Sequence, residues 1–237
     1  MKNKRIFLLV AIISLATNLL QSQNYMIEKF HLAATDMDYG VYANVAFSAP
    51  YAVYFDMDAP NPQQRVQAYL AFTFKKNAYS EMEAFIKSLQ DAYQKYSEWK
   101  NLAKNYSFKY FSKTIPVPLS DKTLYFTEDG KWFMERGVDM KYKFFVDSNG
   151  DCYLIMESDY MTSTETVSES YAFTSSYNAY LNVLGLGFRK SEVNIERYCG
   201  GASLIFSSES EINGFINTLR KVANRMRYNW ENGQIFK

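Results

Sequence analysis

The chain has 237 residues, with 26 Lys and Arg against 25 Asp and Glu. A chain of this length buries roughly 70% of its unfolded surface, so its core needs no metal or disulfide support. The near-neutral balance supplies no basic field, which argues against nucleic acid or an anionic membrane as the main partner.

The N-terminus opens with a basic stretch, Lys2, Lys4 and Arg5, followed by an apolar run from Ile6 to Ala16 and a polar stretch ending Leu20-Gln21-Ser22-Gln23. That is the layout of a bacterial secretory signal peptide. The apolar run falls short of the ~20 residues that span a bilayer. Residues 1–22 are therefore read as a cleaved leader. The mature protein, secreted or periplasmic, keeps no stable membrane span and is slightly acidic. No cysteine lies near the cleavage region, so lipid attachment there is not indicated.

The first half, residues 23–115, begins with alternating patterns. Val41, Ala43, Val45 and Phe47 alternate with Tyr42, Asn44 and Ala46, and a second alternation runs from Val66 to Phe74. Period-two patterns of this kind mark half-buried strands. Asp56 and Asp58 lie between them at strand spacing, which places both carboxylates on one face. Met82, Phe85, Ile86, Leu89 and Tyr93 then recur at helical spacing, and Ser80 with Glu83 has the form of a capping box.

Pro116-Val117-Pro118 blocks both helix and central strand, and it divides this half from the second, residues 116–237. Asp129-Gly130 predicts a two-residue hairpin that sets Glu128 opposite Lys131 and Phe126 opposite Phe133. Asn149-Gly150 predicts another hairpin, joining Lys141–Val146 to Cys152–Glu157. A third turn is expected at Thr162-Ser163-Thr164-Glu165. The helical stripe then returns at Ile212, Phe215, Ile216, Leu219, Ala223 and Met226, with Ser208 and Glu211 as its cap pair. Ser80–Leu89 matches Ser210–Leu219 position by position, which suggests an internal duplication. The predicted fold is α+β: antiparallel β-meanders with two similarly capped amphipathic helices packed on the sheet, the halves forming one unit.

Chemistry is thinly represented. His31 is the sole histidine, and no nucleophile elbow, zinc motif or phosphate loop occurs. No catalytic residue, metal ligand or cofactor is assigned. Cys152 and Cys199 are the only cysteines, and export would allow them to form a disulfide if their strands are neighbours. Asp147-Ser148-Asn149-Gly150-Asp151 is oxygen-rich, yet a hairpin turn explains it without calcium. The segment from Tyr160 to Tyr180 mixes aromatic rings with hydroxyls, as glycan- and protein-binding surfaces do. Tyr171, Phe173 and Tyr177 alternate onto one face there and are the candidate ligand-binding residues. The chain is thus read as an exported, non-catalytic binding protein for a protein or glycan ligand. A small secreted hydrolase using carboxylate and Tyr chemistry is one alternative, and a periplasmic inhibitor or immunity protein is another.

Overall fold

The computed structural model describes residues 23–46, 49–59, 67–73, 78–119, 122–128, 131–169 and 191–235. The chain runs through β1 (Gln23–Leu32), β2 (Met37–Ala46), β3 (Ala49–Met57) and β4 (Gln67–Thr73) into the long helix α1 (Ala78–Tyr106). It continues through β5 (Phe111–Ile115), β6 (Lys122–Glu128), β7 (Lys131–Val138), β8 (Met140–Val146), β9 (Cys152–Ser158), β10 (Met161–Glu169), β11 (Ser191–Cys199) and β12 (Ser203–Phe206). Helix α2 (Glu209–Ile235) follows. Antiparallel sheets with two docked helices make this an α+β fold, as the sequence predicts.

The largest sheet has six strands in the order β1-β2-β3-β4-β6-β7; a four-stranded sheet runs β12-β9-β8-β5, and β10 pairs with β11. Asp58, just past β3, joins the first two sheets by exchanging backbone hydrogen bonds with Ser203 at 2.9 and 2.8 Å. The chain passes from β5 in the smaller sheet to β6 in the larger through Pro116 and Pro118. Strand β6 then pairs with β4, so each sheet draws on both sides of the proline boundary.

One core serves both sheets. Phe215 of α2 meets Phe30 and Phe55 of the six-stranded sheet at 4.7 and 6.0 Å, and Phe206 of the smaller sheet at 5.6 Å. On α1, Phe85 packs on Phe72, and Tyr96 on Phe144. The predicted stripes face the core on both helices: Met82, Phe85, Ile86 and Leu89 are buried on the first, with Tyr93 half-buried, and Ile212, Phe215, Ile216 and Leu219 are buried on the second. The strands preceding them differ, because β4 is interior to its sheet and β12 is an edge. The matched segments therefore share a buried face but not a sheet environment.

The cap of α2 forms as predicted. Glu211 N–H donates to Ser208 Oγ at 3.3 Å, and Ser208 N–H returns a bond to Glu211 Oε2 at 3.1 Å. Helix α1 begins at Ala78, two residues before the expected cap, so Ser80 lies inside its first turn. The hairpin between β6 and β7 keeps the predicted register, with Glu128 opposite Lys131 and Phe126 opposite Phe133. The expected turn at Thr162–Glu165 is a correction. Those residues lie within β10 and pair with Ile195–Tyr198 of β11. Polar composition suggested a turn, but β-branched Thr fits a pleated ladder well once a partner strand is in register. Among the described residues, no helix is long and apolar enough to cross a membrane.

Candidate functional site: an aromatic sheet face

Alternation gives the six-stranded sheet two unlike faces. Val41, Val53, Phe55, Leu70, Phe72, Leu124 and Phe126 point into the core. Their sequence neighbours Tyr42, Tyr54, Tyr69 and Tyr125 belong to a separate cluster on the other side of the sheet. Register turns these scattered residues into one surface: Tyr42 lies opposite Tyr54, and Tyr69 opposite Tyr125. Trp132 of β7 joins them, its ring stacked on Tyr69 at 4.8 Å and 5.6 Å from Tyr54. Tyr54 also meets Tyr125 edge-on at 5.2 Å. Such offset and edge-to-face contacts are the favourable arrangements for aromatic quadrupoles. Tyr54 and Tyr69 retain only 7% exposure each, whereas Trp132 keeps 45%. The cluster is therefore a packed aromatic bed with an indole at its surface.

A carboxylate borders this bed. Asp56 lies opposite Tyr69 in the ladder and accepts the Gly40 N–H at 2.8 Å. Burial raises the Asp56 pKa, although hydrogen bonds from Gly40 and the Tyr42 hydroxyl partly offset that. Burial, with the Asp56 charge added, likewise pushes the Tyr42 and Tyr69 hydroxyls up. The Tyr69 hydroxyl donates to Gln67 Oε1 at 2.8 Å. Gly40 is required for this geometry, because a Cβ there would sit 2.5 Å from the Tyr42 ring. Asp58 takes different partners: the Tyr39 hydroxyl donates to its Oδ2 at 2.5 Å, and Thr35 Oγ1 lies 2.9 Å from that hydroxyl.

No family model, curated protein or solved structure matches this chain significantly.

Tyr171, Phe173 and Tyr177 lie outside the described residues. His31 is exposed on β1, its Nδ1 3.1 Å from Asp38, which also binds Lys29 at 2.7 Å. Cys152 and Cys199 do not form the disulfide the sequence allows: both are buried and free. Cys152 opens β9 opposite Val146 and its thiol faces Gly150 O, whereas Cys199 closes β11 opposite Met161 and its thiol faces Gly201 O. Burial pushes both thiols up, which keeps them protonated and unreactive. In the 147–151 loop, Asp147 Oδ1 accepts the N–H groups of Asn149 and Asp151 at 2.8 and 2.9 Å, an Asx-type turn that uses the carboxylate internally. Among the described residues, no group of three His, Cys, Asp or Glu is placed to hold a metal ion.

The aromatic bed was not singled out from sequence, although a signal for it exists. In β2, β4 and β6, the polar phase of the alternation carries Tyr where Ser, Thr or Lys would suffice for a solvated face. Reading that phase as well as the apolar one would have found Tyr42, Tyr69 and Tyr125.

Proposed function

We propose that this chain is an exported, non-catalytic binding protein whose ligand surface is the aromatic bed of the six-stranded sheet, and that the ligand is a glycan. The observation carrying this reading is Trp132, exposed on a base of packed tyrosines, with Asp56 and Gln67 bordering Tyr69 within that base. A flat ring over a packed base suits the apolar face of a pyranose, and nearby hydroxyl and carboxylate groups suit its edge. The N-terminal leader pattern supports export. Mass spectrometry of the exported protein is expected to find a new N-terminus between Leu20 and Asn24.

The decisive experiment is glycan-array binding beside a melting curve. Trp132→Ala is expected to abolish capture while moving the melting midpoint by only a few degrees. Gly40→Ala, which displaces the Tyr42 ring from Asp56, is expected to weaken it. Unchanged capture by Trp132→Ala would remove the bed from the reading. A Tyr171→Ala/Phe173→Ala pair tests whether the other candidate face carries binding instead. Capture of a protein with no glycan bound would move the reading to an inhibitor or immunity protein.

One observation favours a hydrolase as the second reading. A carboxyl group whose pKa is raised by burial, beside tyrosines and an aromatic platform, has the makings of a general acid. Asp56→Asn would then abolish glycan hydrolysis while sparing glycan binding. Absence of turnover in wild type on every captured glycan returns the assignment to binding alone.

A further inference from the structure

Where α1 ends, the chain reverses into β5 and exposes a second group of aromatic residues. Tyr106 and Tyr110 are 70% and 80% exposed, and Leu102, Phe108 and Phe111 are exposed beside them. The rings form a row: Tyr106 lies 6.0 Å from Phe108, which stacks on Phe111 at 5.7 Å. Phe111 in turn touches the core at Phe144.

The backbone holds this row outward. Ser107 adopts φ of +52° and closes a Schellman-type helix end, with Phe108 N–H on Ala103 O at 3.1 Å and Ser107 N–H on Lys104 O at 3.4 Å. Tyr110 also has φ of +52°, and its N–H donates to Asp147 O at 3.2 Å. Neither residue is the Gly or Asn that favours this region. Strained conformations of this kind persist where the surroundings impose them, and they cluster at functional sites.

The charge around the row has one dominant sign. Lys100, Lys104, Lys109 and Lys113 lie among these residues, and no Asp or Glu occurs from Trp99 to Leu119. Among the described residues, none of the four lysines is in a salt bridge. Lys100 and Lys113 rest over the rings of Tyr96 and Trp99. The acids bordering the row are Glu98, which is paired with Lys95, and Asp147 and Asp151 of the β8–β9 loop, so the four lysines outnumber them. A second copy docked symmetrically on this corner would set lysines against lysines. An anionic surface that also accepts aromatic rings complements both features.

We propose that this corner is a peripheral docking site for an anionic phospholipid surface. Tyr106, Phe108 and Tyr110 enter the headgroup region, and the four lysines meet lipid phosphates. Tyr is a favoured residue at that depth, and lysines near an anionic leaflet add attraction that salt screens. Attachment of this kind is shallow and reversible. It does not depend on what the aromatic sheet face binds.

The test is co-sedimentation with phosphatidylcholine vesicles, with and without phosphatidylglycerol. Wild type and variants are purified in the same N-terminal form, so any contribution of the leader cancels. Wild type is expected to sediment with the anionic vesicles only, and to be released by raised salt. Tyr106→Ser/Tyr110→Ser and Lys104→Glu/Lys109→Glu are each expected to lose at least about tenfold in vesicle affinity, while Trp132→Ala binds as wild type. Should the tyrosine pair fail to fold, the charge-reversed pair decides, because both lysines are on the surface. Equal binding to neutral vesicles, or vesicle binding unchanged by charge reversal, would overturn the proposal. So would capture of soluble dextran sulfate that survives loss of both tyrosines, since that would identify a polyanion site without lipid.

Discussion

The two aromatic regions of this protein use the same residue types to opposite ends. On the six-stranded sheet, Tyr42, Tyr54, Tyr69, Tyr125 and Trp132 come from five strands and lie against one another, so each ring is partly covered by the next. At the α1–β5 corner, Tyr106, Phe108, Tyr110 and Phe111 come from six consecutive residues and project from a chain reversal. Cross-strand register at about 5 Å spacing packs rings into a surface, whereas a helix end followed by an edge strand leaves them in an exposed row. The charges differ as well. Asp56 borders the first region, and lysines surround the second. Aromatic content alone therefore does not say what a surface binds; the backbone beneath it and the neighbouring charges do.

Several substitutions would break or sharpen this contrast. The largest effect is expected at Phe215, on the core side of the sheet that carries the aromatic bed. Phe215→Ala should cost about 3–5 kcal/mol in chemical denaturation, because the ring joins both sheets to α2. A loss no larger than that of Trp132→Ala would erase the distinction between the core face and the aromatic face.

Glu211 tests the frame that both surfaces share. It accepts N–H groups from Ser207, Ser208 and Ala33, the last on the β1–β2 connection, so it ties the α2 cap to the large sheet. Burial acts to raise its pKa, but these donors and the Ser207 hydroxyl outweigh burial and hold it below the ordinary 4.5. A carboxylate with a lowered folded pKa contributes stability above its unfolded pKa and loses it as pH falls through the folded one. Glu211→Gln is thus expected to cost about 1–2 kcal/mol at neutral pH. The difference from wild type should shrink below pH 4.5. Denaturation at a series of pH values checks this. A gap that widens on acidification would contradict the sign.

Trp132→Ala should come next, at about 1 kcal/mol, the scale of an aromatic pair at a partly exposed site. Its melting shift is expected to be smaller than that of Phe215→Ala, with glycan capture lost. The smallest effect belongs to the corner. Tyr110→Asn replaces a left-handed tyrosine by a residue that tolerates φ of +52°, so stability should hold or rise by about 0.5 kcal/mol. Vesicle binding should nevertheless fall. A clear loss of stability instead would mean that the Tyr110 ring contributes to packing.

Much of the frame was legible in the sequence. The Ser208–Glu211 cap, the two apolar stripes and the register across Asp129-Gly130 depend on residues within a few positions of one another. Local chemistry therefore sets them. The start of α1 and the role of Thr162–Glu165 were not legible. Each was read from local composition, and in β10 it is pairing with β11 that holds the polar residues extended. The separate positions of Cys152 at the start of β9 and Cys199 at the end of β11 depend on long-range strand pairing, which no spacing in the chain encodes. Charge gives a parallel case. The overall balance argued against an anionic membrane, yet the lysines between Trp99 and Leu119 are unopposed in sequence and gather at one corner in space.

By itself the sequence determined the class of fold, the leader-like pattern of the first 22 residues, the buried faces of both helices and the alternation that makes each strand two-sided. Only the tertiary structure decided that Tyr42, Tyr54, Tyr69, Tyr125 and Trp132 form one surface, because their contacts require the order β2-β3-β4-β6-β7. That order skips β5, which the chain delivers to the other sheet after α1. Period-two alternation fixes which face a side chain occupies, but the choice of neighbouring strand is a long-range decision made by packing the shared core.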